Sequence, residues 1–231
     1  MHNFNAVQAF GAGPEAETPG EKRMDQLQSS DGFEAAQAAA PSAPLRAWVP
    51  SHDVQFYETQ AFLEKSIASY LVEGVRLGQP IVVIATPAHR EGFKAAMRSM
   101  GVDPDSLVEG RDAVWLDARD TLSAFMEGNR PSAELFDATV GNVLESLRKN
   151  RKYVMMRLYG EMVDLLWADG MAEGALQLEA LWNATAEHYA FSLLCAYSKT
   201  TLATAVHTDA FDRICAHHSS VLSSEGSQRI A

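Results

Sequence analysis

The sequence has few cysteines and no long apolar run, the features that mark disulfide-rich secreted proteins and membrane proteins. Its two cysteines, Cys195 and Cys215, lie in apolar surroundings without Cys-x-x-C spacing. We therefore expect free thiols in a reducing compartment and no disulfide framework. No apolar run approaches the roughly 20 residues that a membrane-spanning helix needs, and a basic segment followed by an apolar one is missing from the amino terminus. These absences predict a cytoplasmic protein that is neither membrane-bound nor secreted.

Positive charge is also scarce. Lys and Arg number 19 against 30 Asp and Glu, which gives a net charge of −11. This excess repels nucleic-acid phosphates and anionic lipids, so we expect no direct partner of either kind. With 47% apolar residues among 231, the chain can bury one sizeable core.

Large apolar side chains are rare in residues 1–47, which are rich in Ala, Gly, Pro, Gln, Ser and Glu. Such a segment cannot offset the entropy of ordering, so we predict a disordered tail there. Strand and helix patterns alternate from Trp48 onward. We expect one domain over residues 48–222 and a second short tail over residues 223–231.

The alternation predicts an α/β fold. The predicted strands lie at residues 52–58, 81–85, 113–117, 153–159 and 191–197. The predicted helices lie at residues 59–77, 88–100, 131–150, about 171–189 and 209–222. The unbroken apolar run Ile81 to Ala85 is typical of a strand buried on both faces of a parallel sheet. We predict a three-layer α/β sandwich with a mainly parallel central sheet of at least five strands, and any ligand site at the carboxyl ends of those strands.

Two of these helices carry specific burial predictions. In the helix at 131–150, the residues expected to face inward are Leu135, Val140, Val143, Leu144 and Leu147. In the helix at 209–222, one apolar stripe is expected to contain Phe211, Cys215, His218 and Leu222.

Glycine is missing from the turn after the first strand, Tyr57 to Ala61. A phosphate-binding loop needs glycines there so that backbone N–H groups can surround phosphates. Lys65 and Ser66 follow within the helix, and we interpret Lys65 as a solvated lysine. Nucleotide hydrolysis is therefore disfavoured, and we expect no enzyme activity.

Two groups of polar residues are candidates for a site. Glu161, directly after the fourth strand, is either a ligand receptor or general base, or a capping or ion-paired glutamate. Glu179 and Asn183 lie four residues apart on one side of a helix, where they form either a structural network or part of a pocket. The residue pattern leaves both pairs of alternatives open.

Cysteine and histidine add a further candidate. Cys195 and Tyr197 share one face of the fifth strand, and a thiol and imidazole cluster with His52 and His218 can be drawn. The spacing matches no known zinc signature, however. We interpret Cys195 as a small buried side chain and His218 as a core histidine, and we expect no metal and no cofactor.

Several short motifs follow one another in a set order. They are His52-x-x-x-Phe56-Tyr57, Leu71 to Gly78 before Pro80 to Thr86, Gly160-Glu161-Met162, Glu179-x-x-x-Asn183, Cys195-x-Tyr197 and His218. In this order the sequence over about residues 51–222 resembles the methanogen/methylotroph DcmR sensory (MEDS) domain. The passage from Glu73 to Pro80 also resembles KaiC and other RecA-like ATPases, of which the sensory family looks like a relative without a phosphate loop. The chain has Ser198 and Ser219 where that family often has aspartate and proline.

The resemblance implies a sensory module that recognises small hydrocarbon-type molecules and acts with histidine kinases or DNA-binding regulators. We hypothesise a stand-alone signalling module that binds a small, largely apolar ligand, a signalling partner protein or both, without catalysis. The oligomeric state is left open. The expected ligand-binding residues are His52, Phe56, Tyr57, Glu161, Glu179, Asn183, Cys195, Tyr197 and His218.

Two alternatives belong to other functional classes. One is a degenerate RecA-like nucleotide-binding protein or ATPase that uses Lys65, Ser66 and Glu161. The other is an interaction adaptor for a kinase or transcription regulator, with no ligand pocket.

Overall fold

The computed structural model describes residues 49–149, 151, 154–203 and 209–222. Six strands form one sheet in the order β3-β2-β6-β7-β1-β8, and every neighbouring pair is parallel. These strands are β1 (Ser51–Tyr57), β2 (Ile81–Ala85), β3 (Ala113–Asp117), β6 (Met156–Gly160), β7 (Phe191–Ser198) and β8 (Ser220–Leu222). A separate antiparallel pair consists of β4 (Met126–Glu127) and β5 (Arg130–Pro131). The predicted parallel α/β sheet is confirmed.

Helices cover both faces of the sheet and create two cores. The helices are α1 (Gln60–Arg76), α2 (Pro87–Ser99), α3 (Pro104–Glu109), α4 (Ala118–Phe125), α5 (Ala133–Phe136), α6 (Asn142–Arg148), α7 (Met162–Ala168), α8 (Ala172–Ala186), α9 (Lys199–Ala203) and α10 (Ala210–Ala216). On one face, α1 and α2 pack in the smaller core. On the other, α4 to α8 and α10 pack in the larger core. The three layers follow from this arrangement. Among the described residues, no helix is both long and apolar enough to cross a membrane.

Local sequence signals set the bounds of α1. Thr59 caps its amino end by accepting a hydrogen bond from the Phe62 backbone N–H. Gly78 follows its carboxyl end with a φ of 72°, a left-handed conformation that glycine adopts without strain. Gly74 lets the helix approach β6, because a Cβ there would lie 2.9 Å from Cδ of Arg157. The prediction of this helix from apolar spacing and glycine is confirmed within one residue at each end.

The predicted helix at 131–150 is interrupted. α5 passes into a π-helical turn at Asp137–Gly141 before α6 begins. Leu135, predicted to face inward, is 38% exposed, whereas Phe136 is 2% exposed. Phe136 lies four residues before Val140 and therefore shares its core-facing side of the helix, whereas Leu135 lies on the solvent side.

The last predicted helix is also wrong in its length. α10 ends at Ala216, and the chain then turns into β8, which pairs with β1. Phe211, expected on the buried stripe, is 52% exposed, and Ile214 is buried instead. His218 therefore reaches the interior from the segment between α10 and β8 rather than from a helix face.

Other differences concern short elements and chain ends. The sequence pattern does not predict the short helices α3, α4, α7 and α9 or the β4–β5 pair, and β6 begins at Met156 rather than at residue 153. Tyr153 and the predicted tails at residues 1–47 and 223–231 lie outside the described residues.

Candidate functional site

The residues predicted to form one pocket lie in two separate clusters. The edge cluster is at the carboxyl ends of the sheet strands and consists of Tyr57, Thr86, His89, Tyr159, Glu161 and Asp164. The buried cluster lies between the sheet and α8 and consists of His52, Glu179, Asn183, Cys195, Tyr197 and His218.

The edge cluster follows from the parallel sheet. Tyr57 is the last residue of β1, Thr86 follows β2, and Glu161 follows β6. The carboxyl ends of parallel strands meet at one edge, so residues far apart in sequence come together there. His89 lies in the first turn of α2 and Asp164 in the first turn of α7.

Glu161 is the centre of the edge cluster and is only 3% exposed. Its Oε1 accepts a hydrogen bond from the Thr86 backbone N–H at 2.6 Å. Its Oε2 accepts from His89 Nδ1 at 2.6 Å and from the Tyr159 hydroxyl at 3.0 Å. The other His89 nitrogen, Nε2, lies 2.8 Å from Oε1 of Gln60. Both ring nitrogens face acceptors, an arrangement that suits a protonated imidazole.

Electrostatics agree with that geometry. Burial lowers the pKa of His89, but the hydrogen bond to Glu161 and its charge outweigh burial, so the pKa is raised. The Tyr159 hydroxyl has its pKa raised well above the usual value by burial and by the Glu161 charge. The Glu161 carboxylate is therefore an acceptor held by three donors.

Asp164 is the second acid of the edge cluster. It accepts from the Ser198 backbone N–H at 3.1 Å and from the Tyr57 hydroxyl at 3.4 Å. Burial raises its pKa to about 6, against the lowering effect of these hydrogen bonds. The pKa of Tyr57 is raised by burial and by the charges of Asp164 and Glu161. Asp164 thus titrates near neutral pH, close to a partly exposed histidine and a tyrosine.

The buried cluster is built on the opposite side of the sheet from α1. His52 on β1 aligns with Leu193 on β7, and Cys195 follows two residues later on the same face. α8 contributes Glu179 from above this face, and the segment after α10 contributes His218. Glu179 and Cys195 are fully buried, and His52 is 4% exposed.

Hydrogen bonds fix the orientation of both imidazoles in this cluster. His52 Nδ1 lies 2.8 Å from Oδ1 of Asn183, whose Nδ2 donates to the His217 carbonyl at 2.9 Å. His218 Nδ1 lies 2.7 Å from the Ile214 carbonyl. Each ring therefore donates through Nδ1 and turns Nε2 toward the carboxylate of Glu179, at 3.1 Å for His52 and 3.4 Å for His218.

Two further groups contact the same carboxylate. The Tyr197 hydroxyl donates to its Oε1 at 2.7 Å, and the Cys195 sulfur lies 3.6 Å from its Oε2. Burial raises the pKa of Glu179, yet the adjacent imidazoles of His218 and His52 lower it well below its usual range. Burial and the Glu179 charge raise the pKa of the Cys195 thiol. Both cysteines are free thiols, as predicted.

The structure thus brings six of the nine predicted residues into one cluster and places Tyr57 and Glu161 in the other. Phe56 has no polar group to join either hydrogen-bonded cluster, and its ring centroid lies 4.7 Å from that of Phe211 and 6.2 Å from that of Tyr197. Sequence reasoning missed His89 and Asp164. His89 lies three residues after Thr86, and Asp164 lies three residues after Glu161. At this spacing from a strand end, the first turn of the next helix brings a side chain back to the sheet edge.

Three cavities formed by described residues lie elsewhere, with volumes of about 440, 470 and 410 Å³. The 440 Å³ cavity lies beside α1, and its lining includes Lys65 and Ser66 together with Leu194 and Leu222. Glu161 does not line it. The residues considered for nucleotide binding are therefore not gathered in this cavity.

Comparison with known proteins agrees with the arrangement of motifs. No curated protein sequence matches the chain. One solved structure similar to it is a KaiC-like protein from the hyperthermophilic archaeon Pyrococcus horikoshii, at 12% identity and a TM-score of 0.44, covering 66% of this chain and 69% of that one. That likeness is too distant to assign a function. The family model for MEDS, the methanogen/methylotroph DcmR sensory domain, matches residues 51–218, which include both clusters, and the chain belongs to this family.

Proposed function

We propose that this protein is a non-catalytic sensory module of a signalling system and that its edge cluster is the part that responds. The cluster would bind a small, largely apolar ligand, and its state would pass to a signalling partner such as a histidine kinase or a transcription regulator. Membership in a sensory family supports the general role. The choice of the edge cluster rests on its geometry.

The observation that carries the proposal is that Glu161 accepts hydrogen bonds from three protein donors. A general base needs a free lone pair directed at its substrate, and a phosphate site needs backbone donors on a glycine-rich loop. Here the carboxylate holds Thr86, His89 and Tyr159 together, and the turn after β1 carries Tyr57 and Glu58 instead of glycine. This arrangement supports a switchable network better than a reaction centre.

The edge cluster also joins the elements that a signal would have to move. Glu161 connects β6 to the amino end of α2, and Asp164 connects α7 to Tyr57 on β1 and to Ser198 on β7. His89 is partly exposed, with 16% of its side chain accessible, so a ligand can reach it. A ligand that displaced one hydrogen bond would change contacts on both faces of the sheet.

The same edge carries aromatic surface for an apolar molecule. The partly exposed Tyr57 and His89 rings have centroids 6.5 Å apart and lie nearly perpendicular, and the His89 ring stacks at 5.7 Å on Phe93, which is itself fully buried. Aromatic side chains with a few fixed polar groups are typical of small-molecule sites. Two free thiols are consistent with the reducing cytoplasm, where we place the protein.

Amide NMR of the full chain tests this proposal, with a panel of small alcohols and short hydrocarbons as probes. We expect shift changes centred on Tyr57, His89 and Asp164, and their loss in Glu161→Gln. Glu58→Gln is the matched control, because Glu58 lies at the same edge but is exposed and forms an ion pair with Lys199 at 2.6 Å.

Two results would contradict the proposal. Shift changes confined to the cavity beside Lys65 would move the ligand site away from the edge cluster. No response to any probe, together with binding of a kinase or regulator that Glu161→Gln leaves unchanged, would favour the adaptor.

A further inference from the structure

We propose that His52, Glu179, Cys195 and His218 form a closed binding site for one divalent transition-metal cation, with Zn²⁺ the best match. One ligand atom from each residue can be chosen so that all four lie within 4.8 Å of one another. The donor set is two imidazoles, one carboxylate and one thiol, which are the ligand types that zinc takes in proteins. This inference is independent of the proposed ligand at the edge cluster.

Three of the six separations among the ligand atoms are close to those of a tetrahedral zinc site, and all six lie within 4.8 Å. Zinc bonds of about 2.0–2.1 Å to nitrogen or oxygen and about 2.3 Å to sulfur place neighbouring ligand atoms about 3.3–3.6 Å apart. His52 Nε2 lies 3.1 Å from Glu179 Oε2 and 3.4 Å from Cys195 Sγ. The sulfur lies 3.6 Å from the same Oε2, and His218 Nε2 lies 3.4 Å from Oε1. Small shifts would accommodate a cation.

The hydrogen bonds around the ligands have the pattern of a metal site. A metal-bound histidine usually donates its other ring N–H to a carbonyl or carboxylate, which fixes the ring and its tautomer. His52 does so to the side-chain oxygen of Asn183, and His218 to the Ile214 carbonyl. Tyr197 donates to Oε1 of Glu179 and holds that carboxylate in place. Asn183 and Tyr197 are therefore positioning residues.

One atom in the cluster points independently to a ligand. The side chain of His218 is 0% exposed, and its Nε2 lies 3.4 Å from Glu179 Oε1 but makes no well-directed hydrogen bond within the described part of the chain. Buried nitrogens of this kind are rarely left unpaired, because the desolvation of a polar group is costly. A cation shared with Glu179 would satisfy this nitrogen.

Charge balance favours the same conclusion. Two neutral imidazoles, one carboxylate and one thiolate carry two negative charges, which one Zn²⁺ neutralises in a site that excludes water. Binding releases to solvent the Cys195 thiol proton and any proton that His52 or His218 holds on Nε2. All four ligands belong to the protein, and His52, Glu179 and Cys195 are buried. Such a closed coordination sphere is typical of a structural zinc rather than a catalytic one.

The experiment uses the full chain, unfolded with a chelator and refolded with equimolar Zn²⁺ or Co²⁺. We expect about one metal per folded chain by elemental analysis, as in a single closed site. The Co²⁺ form should show the intense visible bands of a tetrahedral ion and a sulfur-to-cobalt charge-transfer band. The chain has only two cysteines, so variants of each identify the sulfur.

Cys215→Ser is the matched control, because Cys215 lies outside the cluster. It should keep the metal and the charge-transfer band, whereas Cys195→Ser should lose the band and at least about tenfold in metal affinity. If Cys195→Ser does not fold, the band in Cys215→Ser still assigns the ligand. A wild-type chain that folds without metal and gives no tetrahedral Co²⁺ spectrum would overturn the proposal, as would loss of the band in Cys215→Ser.

Discussion

The two clusters contain similar residues in opposite settings. Each has a glutamate at its centre that contacts a histidine and a tyrosine: Glu161 with His89 and Tyr159, and Glu179 with His52 and Tyr197. The edge cluster lies where strands end and helices begin, with a partly exposed histidine. The buried cluster lies further back along β1 and β7 under α8, and its glutamate has no exposed surface.

This difference in position separates what each cluster can do. At the strand ends, the proposed ligand would exchange with a hydrogen bond of a partly exposed network. Further back along the strands, a polar or charged group is buried in the core, where its charge and hydrogen bonds must be satisfied by neighbouring groups. A permanently bound cation or a fixed polar network is therefore favoured there over an exchanging ligand. The two proposals therefore place sensing and stabilisation at different ends of β1.

The largest effect is expected from Glu179→Gln. It removes a fully buried charge that contacts His52 and His218, and we expect the free energy of unfolding to fall by about 3–5 kcal/mol. Glu173→Gln in the same helix is the control, because Glu173 is 68% exposed and paired with Arg213. That control should change the free energy of unfolding by less than about 1 kcal/mol. Urea denaturation followed by circular dichroism measures both, and equal effects would remove the distinction between a buried and a surface glutamate.

Glu161→Gln should have a smaller effect, of about 2 kcal/mol on the free energy of unfolding. Glutamine keeps one acceptor oxygen, but its amide NH2 replaces the other and then faces either the Thr86 N–H or the His89 and Tyr159 donors. The pKa of His89 should fall in this variant, because the charge that raises it is gone. NMR titration of the His89 ring measures this change. An unchanged pKa would show that the edge network is not held by Glu161.

The sequence predicts the sheet well because its strands are strongly apolar. β2 is buried at every residue, and β7 at all but its last, so period and composition are sufficient to place them. β8 is only three residues long, and the apolar pattern of the preceding helix α10 continues through it. Its pairing with β1 depends on contacts distant in sequence, and pattern alone could not show it.

The candidate site is only partly predictable, for a related reason. The rule that sites lie at strand ends places Glu161 and Tyr57 correctly. It does not show how far Cys195 lies from the end of β7, which continues for three more residues. That offset puts Cys195 beside His52 in the core and not at the edge. His89 and Asp164 depend on which side of a helix turn faces the sheet, which the tertiary packing decides.

Asp164 allows a pH test of the edge cluster alone. Its pKa is about 6 in the folded chain against an ordinary value of 3.8, so between about pH 4 and 6 the folded state holds a proton that the unfolded state has lost. The stability that this group contributes is present below that window and falls as pH rises through it, by on the order of 2–3 kcal/mol. Burial is the main cause of the raised pKa. The Glu161 charge raises it further, and hydrogen bonds such as those from the Ser198 N–H and the Tyr57 hydroxyl oppose the change.

Asp164→Asn keeps the acceptor for the Ser198 N–H and cannot ionise. The difference in unfolding free energy between variant and wild type should therefore increase from pH 4 to pH 7 in favour of the variant. Urea titrations at several pH values give this difference directly. A constant difference would place Asp164 in a solvated setting and remove one of the contrasts between the two clusters.

The smallest effect is expected from Lys65→Ala. Lys65 is exposed on α1 beside a cavity that Glu161 does not line, so its removal should change the free energy of unfolding by less than about 0.5 kcal/mol. Calorimetry with ATP and Mg²⁺ should show no binding that depends on this residue, because the turn after β1 offers no glycine-rich backbone to phosphates. Micromolar ATP binding that Lys65→Ala abolishes would identify α1 as a third functional region. The proposal that the edge cluster is the responding part of the protein would then be wrong.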